Sequence, residues 1–114
     1  MSLGQKGEGF AETFLRKKGY KVIEKNFKSR IGEIDIIAED RGTLVFVEVK
    51  TRENLLYGQP FEAVNSRKKR KIANVAMLYL KKLKEIPPCR FDVVSVYYEN
   101  GRPECELIQD AFEM

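Results

Sequence analysis

A chain of 114 residues with 43% hydrophobic and 33% charged positions has room for one domain, residues 1–114, around a single core, and is too apolar for a disordered polymer. Its apolar runs are strand-sized, which excludes a membrane-spanning helix. The opening Met1-Ser2-Leu3 runs into charged residues without a signal-peptide core, so a cytoplasmic location is expected. The chain contains no histidine, which rules out nucleophile triads that use it as base and leaves Cys89 and Cys105 poor candidates for zinc.

In chain order, residues 4–18 read as a helix with Phe10, Ala11, Phe14 and Leu15 as its apolar stripe, stopped near Gly19. Residues 20–27, 32–38 and 43–51 read as strands, with 39–42 turning the chain between the second and third. Residues 55–62, containing Tyr57, Gly58 and Pro60, read as a loop in which Gln59 and Glu62 are candidates to border a cleft. Residues 66–84 place Ile72, Val75, Ala76, Tyr79, Leu80 and Leu83 at helical spacing, and Pro87-Pro88 ends that helix. Two strands follow, joined at Asn100-Gly101, a two-residue hairpin signal that pairs Glu99 with Arg102 and Val96 with Cys105. Pro103, lacking an N–H, marks an edge. Cys89 then lies several rungs from Cys105, so two free thiols are expected. The order is αβββαββ, an α/β fold with one mixed sheet flanked by helices.

The most informative stretch is Gly32-Glu33-Ile34-Asp35-Ile36-Ile37, followed by Glu48-Val49-Lys50. Strict alternation puts Glu33, Asp35 and Ile37 on one side of the second strand. On the third, Leu44, Phe46, Glu48 and Lys50 share a side and Val45, Val47 and Val49 take the other. A four-residue turn at 39–42 sets Glu33 opposite Glu48 with Asp35 on the diagonal; a two-residue turn at Arg41-Gly42 sets Asp35 directly opposite Glu48. In either register two carboxylates and an ammonium end hydrophobic strands, an arrangement that can hold a divalent cation and a water beside a phosphate. Metal binding would relieve the repulsion between like charges on neighbouring strands. The plain alternatives are a solvent-facing carboxylate at Asp35 and a same-face Glu48–Lys50 salt bridge.

Charge is unevenly spread. Residues 66–84 carry Arg67, Lys68, Lys69, Arg70, Lys71, Lys81, Lys82 and Lys84 and no acid. Cations at a helix N-terminus oppose the macrodipole, a penalty of a few tenths to ~1 kcal/mol. The Arg67–Lys71 cluster is therefore easier to understand as a surface for a polyanion, and nucleic acid is the natural partner.

Helical Glu8, Glu33-x-Asp35 and Glu48-x-Lys50 together resemble the PD-(D/E)XK nuclease superfamily. More narrowly, Gly7-Glu8, Ala11, Leu15, Gly19-Tyr20, Asn26, Gly32-Glu33-Ile34-Asp35, Val45-Phe46-Val47-Glu48-Val49-Lys50-Thr51-Arg52 and Arg90-Phe91-Asp92-Val93 resemble the YraN-type uncharacterised bacterial family, which is similar to archaeal Holliday-junction resolvases. Gly32 and Glu33 stand where the broader superfamily carries its proline. The resemblance implies a restriction-endonuclease-like fold, often a homodimer, and a metal-dependent endonuclease for branched or structured DNA that uses Mg2+ or Mn2+. It assigns Asp35 and Glu48 as metal ligands, with a carbonyl near Val49 as a further oxygen and Glu8 completing the shell. Lys50 then orients the attacking water or stabilises the phosphate oxygens. Glu33 is a supporting partner or an exposed strand residue. Glu8 has a rival reading as an acid favoured by the helix dipole. Arg52 contacts phosphate or pairs with nearby acids. Two other functions use the same features: a non-catalytic nucleic-acid-binding or scaffolding protein that keeps the nuclease fold, and a nuclease directed at RNA.

Overall fold

Ser2 opens the first helix, α1 (Leu3–Lys17). Its hydroxyl accepts the Gln5 N–H at 3.1 Å while Gln5 Oε1 accepts the Ser2 N–H at 3.0 Å. This reciprocal capping box satisfies two donors that a helix start leaves orphaned. The structure, a computed structural model, describes residues 2–52 and 65–113. The expected loop at 55–62, with Tyr57, Gln59 and Glu62, lies outside the described residues.

Strands β1 (Lys21–Ser29), β2 (Gly32–Asp40) and β3 (Thr43–Arg52) follow α1; helix α2 (Ser66–Leu80) precedes β4 (Cys89–Glu99) and β5 (Arg102–Phe112). The order is αβββαββ, as expected. Among the described residues the strands form one mixed sheet in the order β1-β2-β3-β4-β5. The β3–β4 pair is parallel and its neighbours are antiparallel. Pro103 lies on the edge strand β5, where its missing N–H is harmless.

Of the three two-residue hairpins, the β1–β2 turn at Arg30-Ile31 has no positive φ, while the other two turn through residues with positive φ: first Arg41 (49°) and Gly42 (88°), second Asn100 (52°) and Gly101 (75°). This backbone matches the right-handed twist of the flanking strands. The second hairpin pairs Glu99 with Arg102 and Val96 with Cys105, and both cysteines are free. The first pairs Asp40 with Thr43, so the two-residue turn, not the four-residue one, sets the β2–β3 register.

Asn65 caps α2, its Oδ1 accepting the Lys68 N–H at 2.9 Å. The helix ends at Leu80 rather than continuing towards Pro87. Lys82 and Leu83 N–H groups bond back to Tyr79 and Leu80 carbonyls, the i−3 pattern of a tightening last turn.

The helices cover opposite faces. Ala11 and Leu15 of α1 pack with Tyr20, Ile36, Ala38, Val45, Val47, Val49, Val94 and Val96. Ile72, Val75, Ala76 and Leu80 of α2 pack with Phe27, Ile34, Ile37, Leu44, Phe46, Phe91 and Val93. Strict alternation in β2 therefore fails. Ile34 and Ile37 both face α2, while Ile36 between them faces α1. The break falls at Asp35, level with Asn26, whose φ is +52°. Asparagine tolerates this left-handed backbone, and the local twist turns β2 over at the acid. Glu33, Asp35 and Ile37 are thus not one flat row.

A buried polar network lies on the α1 face. Asp92, fully buried, accepts from Tyr20 Oη (2.8 Å), Arg90 Nε (3.0 Å) and the Asp110 N–H (2.9 Å). Arg90 also donates to Asp40 at 2.7 Å, and Gln109 donates to Tyr20 Oη at 2.8 Å. Arg90 and Asp92 of the Arg90-Phe91-Asp92-Val93 motif thus hold the fold together, because a buried carboxylate needs this many donors.

Candidate functional site

The site forms where the sheet splits. Pairing between β2 and β3 runs from Asp40↔Thr43 to Ile36↔Val47. One rung further, where Asp35 would oppose Glu48, the Val49 N–H bonds the Asp35 carboxylate at 2.8 Å instead of a backbone carbonyl. A side-chain oxygen thus satisfies the amide, and β2 and β3 part beyond it. Val49, suggested as a source of a carbonyl ligand, contributes its N–H to the site.

Glu8, Asp35, Glu48, Lys50, Arg52 and Lys68 line a cavity of about 340 Å³ in this cleft. A second cavity of about 310 Å³ adjoins it, with Glu33, Asp35, Glu48, Lys68 and Lys71 in its wall. The structure therefore gathers residues from α1, β2, β3 and the start of α2. A larger cavity, about 730 Å³, runs along α1 and β1 and shares Glu8 and Glu33 with the site. It has size, but the two acids whose pKa is raised, Glu8 and Asp35, meet at the split strands, and chemistry is better judged from those.

Burial raises the Asp35 carboxyl from 3.8 to about 7, with the Glu48, Glu8 and Glu33 charges adding to it and the Val49 N–H opposing it. Burial, then Glu33 and Glu48, also raises Glu8, against the opposing pull of Lys25. These are the marks of carboxylates crowded without enough positive charge. Glu48 has cations close at hand. Its side chain is 8% exposed and lies 3.1 Å from Lys68 Nζ and 3.6 Å from Lys50 Nζ. Desolvation, then Lys68, lowers Lys50. Desolvation pulls Lys68 down as well, but its contact with Lys50 and the Glu48 charge hold it above its ordinary value.

The donor set can be tested against a divalent cation. Among the described residues, no three His, Cys, Asp or Glu side chains form a ready-made cluster for one. Asp35 and Glu48 nevertheless offer oxygens on adjoining strands, and both line the same cavity. That set fits magnesium, which keeps several waters and takes one or two protein carboxylates.

Glu8 does not owe its place to the helix dipole. It lies in the second turn of α1, and the first turn holds no acid; the dipole effect fades within one turn. What brings it to the cleft is Gly7, buried against β3, where an added Cβ would collide with Thr51 Oγ1. Gly7→Ala is expected to destabilise the fold by about 1–3 kcal/mol and to push α1 off the sheet. Urea denaturation checks it; a loss below about 0.5 kcal/mol would contradict so close an approach.

The basic cluster of α2 does not act as a block. Arg67, Arg70 and Lys71 are exposed. Lys69 Nζ lies 5.8 Å above the Phe112 ring, and Lys68 turns into the cleft. Sequence reasoning placed Lys68 with the polyanion-binding residues and missed its contact with Glu48, because nothing local links residues twenty apart. It also missed Ser95. Fully buried on β4 and paired across the ladder with Lys50, Ser95 has an Oγ with no hydrogen-bond partner. Both features depend on the β3–α2–β4 packing.

Comparison with known proteins shows the family of the chain. The model of the uncharacterised protein family UPF0102 matches residues 7–96, a span that contains Glu8, Asp35, Glu48, Lys50 and Lys68. A UPF0102 protein of Symbiobacterium thermophilum is 54% identical over 112 residues, covering 96% of this chain and 95% of that protein. One of Geobacter metallireducens is 48% identical over 114 residues, covering 99% and 93%. A Clostridium botulinum relative is 41% identical over 116 aligned residues, covering 98% and 94%. The chain belongs to the UPF0102 family, the YraN-type group that its motifs resemble.

Proposed function

We propose that this protein is a metal-dependent endonuclease, similar to Holliday-junction resolvases of the PD-(D/E)XK superfamily, that hydrolyses phosphodiester bonds in branched or structured DNA. The observation that carries the reading is the junction of Asp35 and Glu48 where β2 and β3 part, with Lys50 beside Glu48. In this reading Asp35 and Glu48 hold Mg2+ or Mn2+, and Glu8 reaches the shell from α1. The bound cation supplies Lewis-acid polarisation of the phosphate and a more acidic water. Lys50 orients that water or steadies charge on the non-bridging oxygens. Asp35 is fixed by the Val49 N–H, so its second oxygen is presented to the cleft at little entropic cost. Arg52, with Arg67, Lys69, Arg70 and Lys71 on α2, meets the nucleic-acid backbone at either side, a contact whose strength falls with salt. No helix among the described residues is long and apolar enough to cross a membrane, consistent with work on cytoplasmic DNA. A homodimer would set two such sites on opposing strands of a junction.

One observation favours the alternative of a non-catalytic nucleic-acid-binding or scaffolding protein: Glu48 already carries two lysine partners. The deciding experiment is a cleavage assay with Mg2+ or Mn2+ on four-way junctions, flaps, single strands and linear duplex, with paired RNA substrates. Asp35→Ala and Glu48→Ala proteins are prepared in parallel. Loss of cleavage by at least about 100-fold in both is expected; cleavage that survives both changes would refute the assignment. Junction binding with no cleavage under either metal supports the scaffolding role.

A further inference from the structure

We propose that Lys68 is an internal counter-ion that occupies Glu48 in the resting protein and leaves it for a nucleic-acid phosphate, so that cation and nucleic acid load together. This rests on the nuclease reading above, and on three features of the fold.

First, Lys68 is the closer of the two lysines at Glu48, 3.1 Å against 3.6 Å for Lys50. Lys50 is tied to the same strand as Glu48, two residues on, and stays beside it whatever binds. Lys68 comes from another element and can exchange partners. Second, its backbone is fixed where its side chain is not. Asn65 Oδ1 holds the Lys68 N–H at 2.9 Å, so Lys68 is the third residue of α2, a position where an acid would complete a capping box. A lysine there opposes the helix dipole, and Glu48 offsets that opposition. The stem pivots about a fixed base, and its side chain is 41% exposed, so solvent or a phosphate can reach the ammonium. Third, Lys68 borders both cavities that flank Asp35 and Glu48, and exposed Lys71 one turn on faces the second of them. A backbone phosphate drawn to α2 therefore arrives within the sweep of Lys68.

The consequence is coupling. A cation approaching Glu48 must displace Lys68, and a phosphate that draws Lys68 away removes that obstacle in advance. Each ligand then strengthens the other, because the ion pair is broken only once. Without nucleic acid the carboxylate is kept neutralised, which also limits stray hydrolysis.

The test titrates Mn2+ alone into nucleic-acid-free protein by calorimetry, comparing wild type with Lys68→Met, Lys68→Gln and Lys81→Met. The last removes the same charge from just beyond the far end of α2. Both Lys68 variants should bind Mn2+ about 5- to 20-fold more tightly than wild type, with Lys81→Met within about twofold. Mn2+ binding left unchanged or weakened in folded Lys68 variants overturns the inference while leaving the nuclease reading intact. If none of the proteins binds Mn2+, the cation reading of the site fails and the inference with it. The second arm measures binding of a labelled duplex against salt without divalent cations. Lys68→Met should lower the log–log salt slope by about one; an unchanged slope overturns the transfer to phosphate.

Discussion

Asp92→Ala is expected to lower the free energy of unfolding by about 3–5 kcal/mol, the range for breaking a buried charged network by removing one member. Asp92 is 0% exposed and accepts from Tyr20, Arg90 and the Asp110 amide. Truncation leaves the Arg90 guanidinium with Asp40 as its remaining carboxylate and deprives the Asp110 N–H of its bond. Unmade buried bonds of this kind carry the desolvation penalty in full. Against a typical total of 5–15 kcal/mol, such a variant sits close to unfolding at 37 °C. Asp92→Asn, which keeps an acceptor for Asp110, should lose less. Urea denaturation followed by circular dichroism measures both, and a loss under about 1 kcal/mol for Asp92→Ala would show that the network is not what holds β4 and β5 to the α1 face.

The other large effect runs in the opposite direction. In the absence of divalent cations at pH 8, Asp35→Asn should be more stable than wild type. The folded protein raises Asp35 from 3.8 to about 7, first through burial and then through Glu48. A group with a raised folded pKa contributes stability that is complete below the unfolded value and lost as pH climbs through the folded one. Wild type therefore loses stability between about pH 4 and pH 7 through this group, and Asp35→Asn does not. The shift corresponds to at most about 4 kcal/mol; solvent at the half-buried carboxylate and its neighbours reduces this to about 1–2 kcal/mol, or about 5–10 °C in melting temperature. Asparagine keeps an acceptor for the Val49 N–H. Thermal melts in EDTA should show the variant ahead at pH 8 and level with wild type near pH 4. Magnesium should raise the melting temperature of wild type at pH 8 and leave the variant unmoved. A variant less stable than wild type at pH 8 would contradict the crowding of charge at this site. A residue that weakens the fold and remains is the usual signature of a functional position.

The element order was legible because each signal is local. Alternating apolar residues, the Asn100-Gly101 turn and the helical spacing around Ile72 and Val75 report backbone preferences over a few residues. The end of α2 was misjudged because Leu83 fits the apolar period while the chain tightens after Leu80. The β2–β3 register had two solutions in sequence, and only the twist-matched turn at Arg41-Gly42 separated them. The face of Asp35 was not readable at all, since the reversal depends on Asn26 across the ladder.

By itself, then, the sequence put forward the candidates for the proposed chemistry: Asp35, Glu48 and Lys50 by residue type and spacing along two strands, and helical Glu8 by its resemblance to a nuclease family. Tertiary structure alone decided their company. It parted the strands at Asp35, docked α1 through Gly7 so that Glu8 borders the cleft, and carried Lys68 from the basic helix onto Glu48. Spacing within an element is fixed by backbone geometry and can be counted along the chain. The approach of one element to another is fixed by packing against a shared core, which no local pattern encodes.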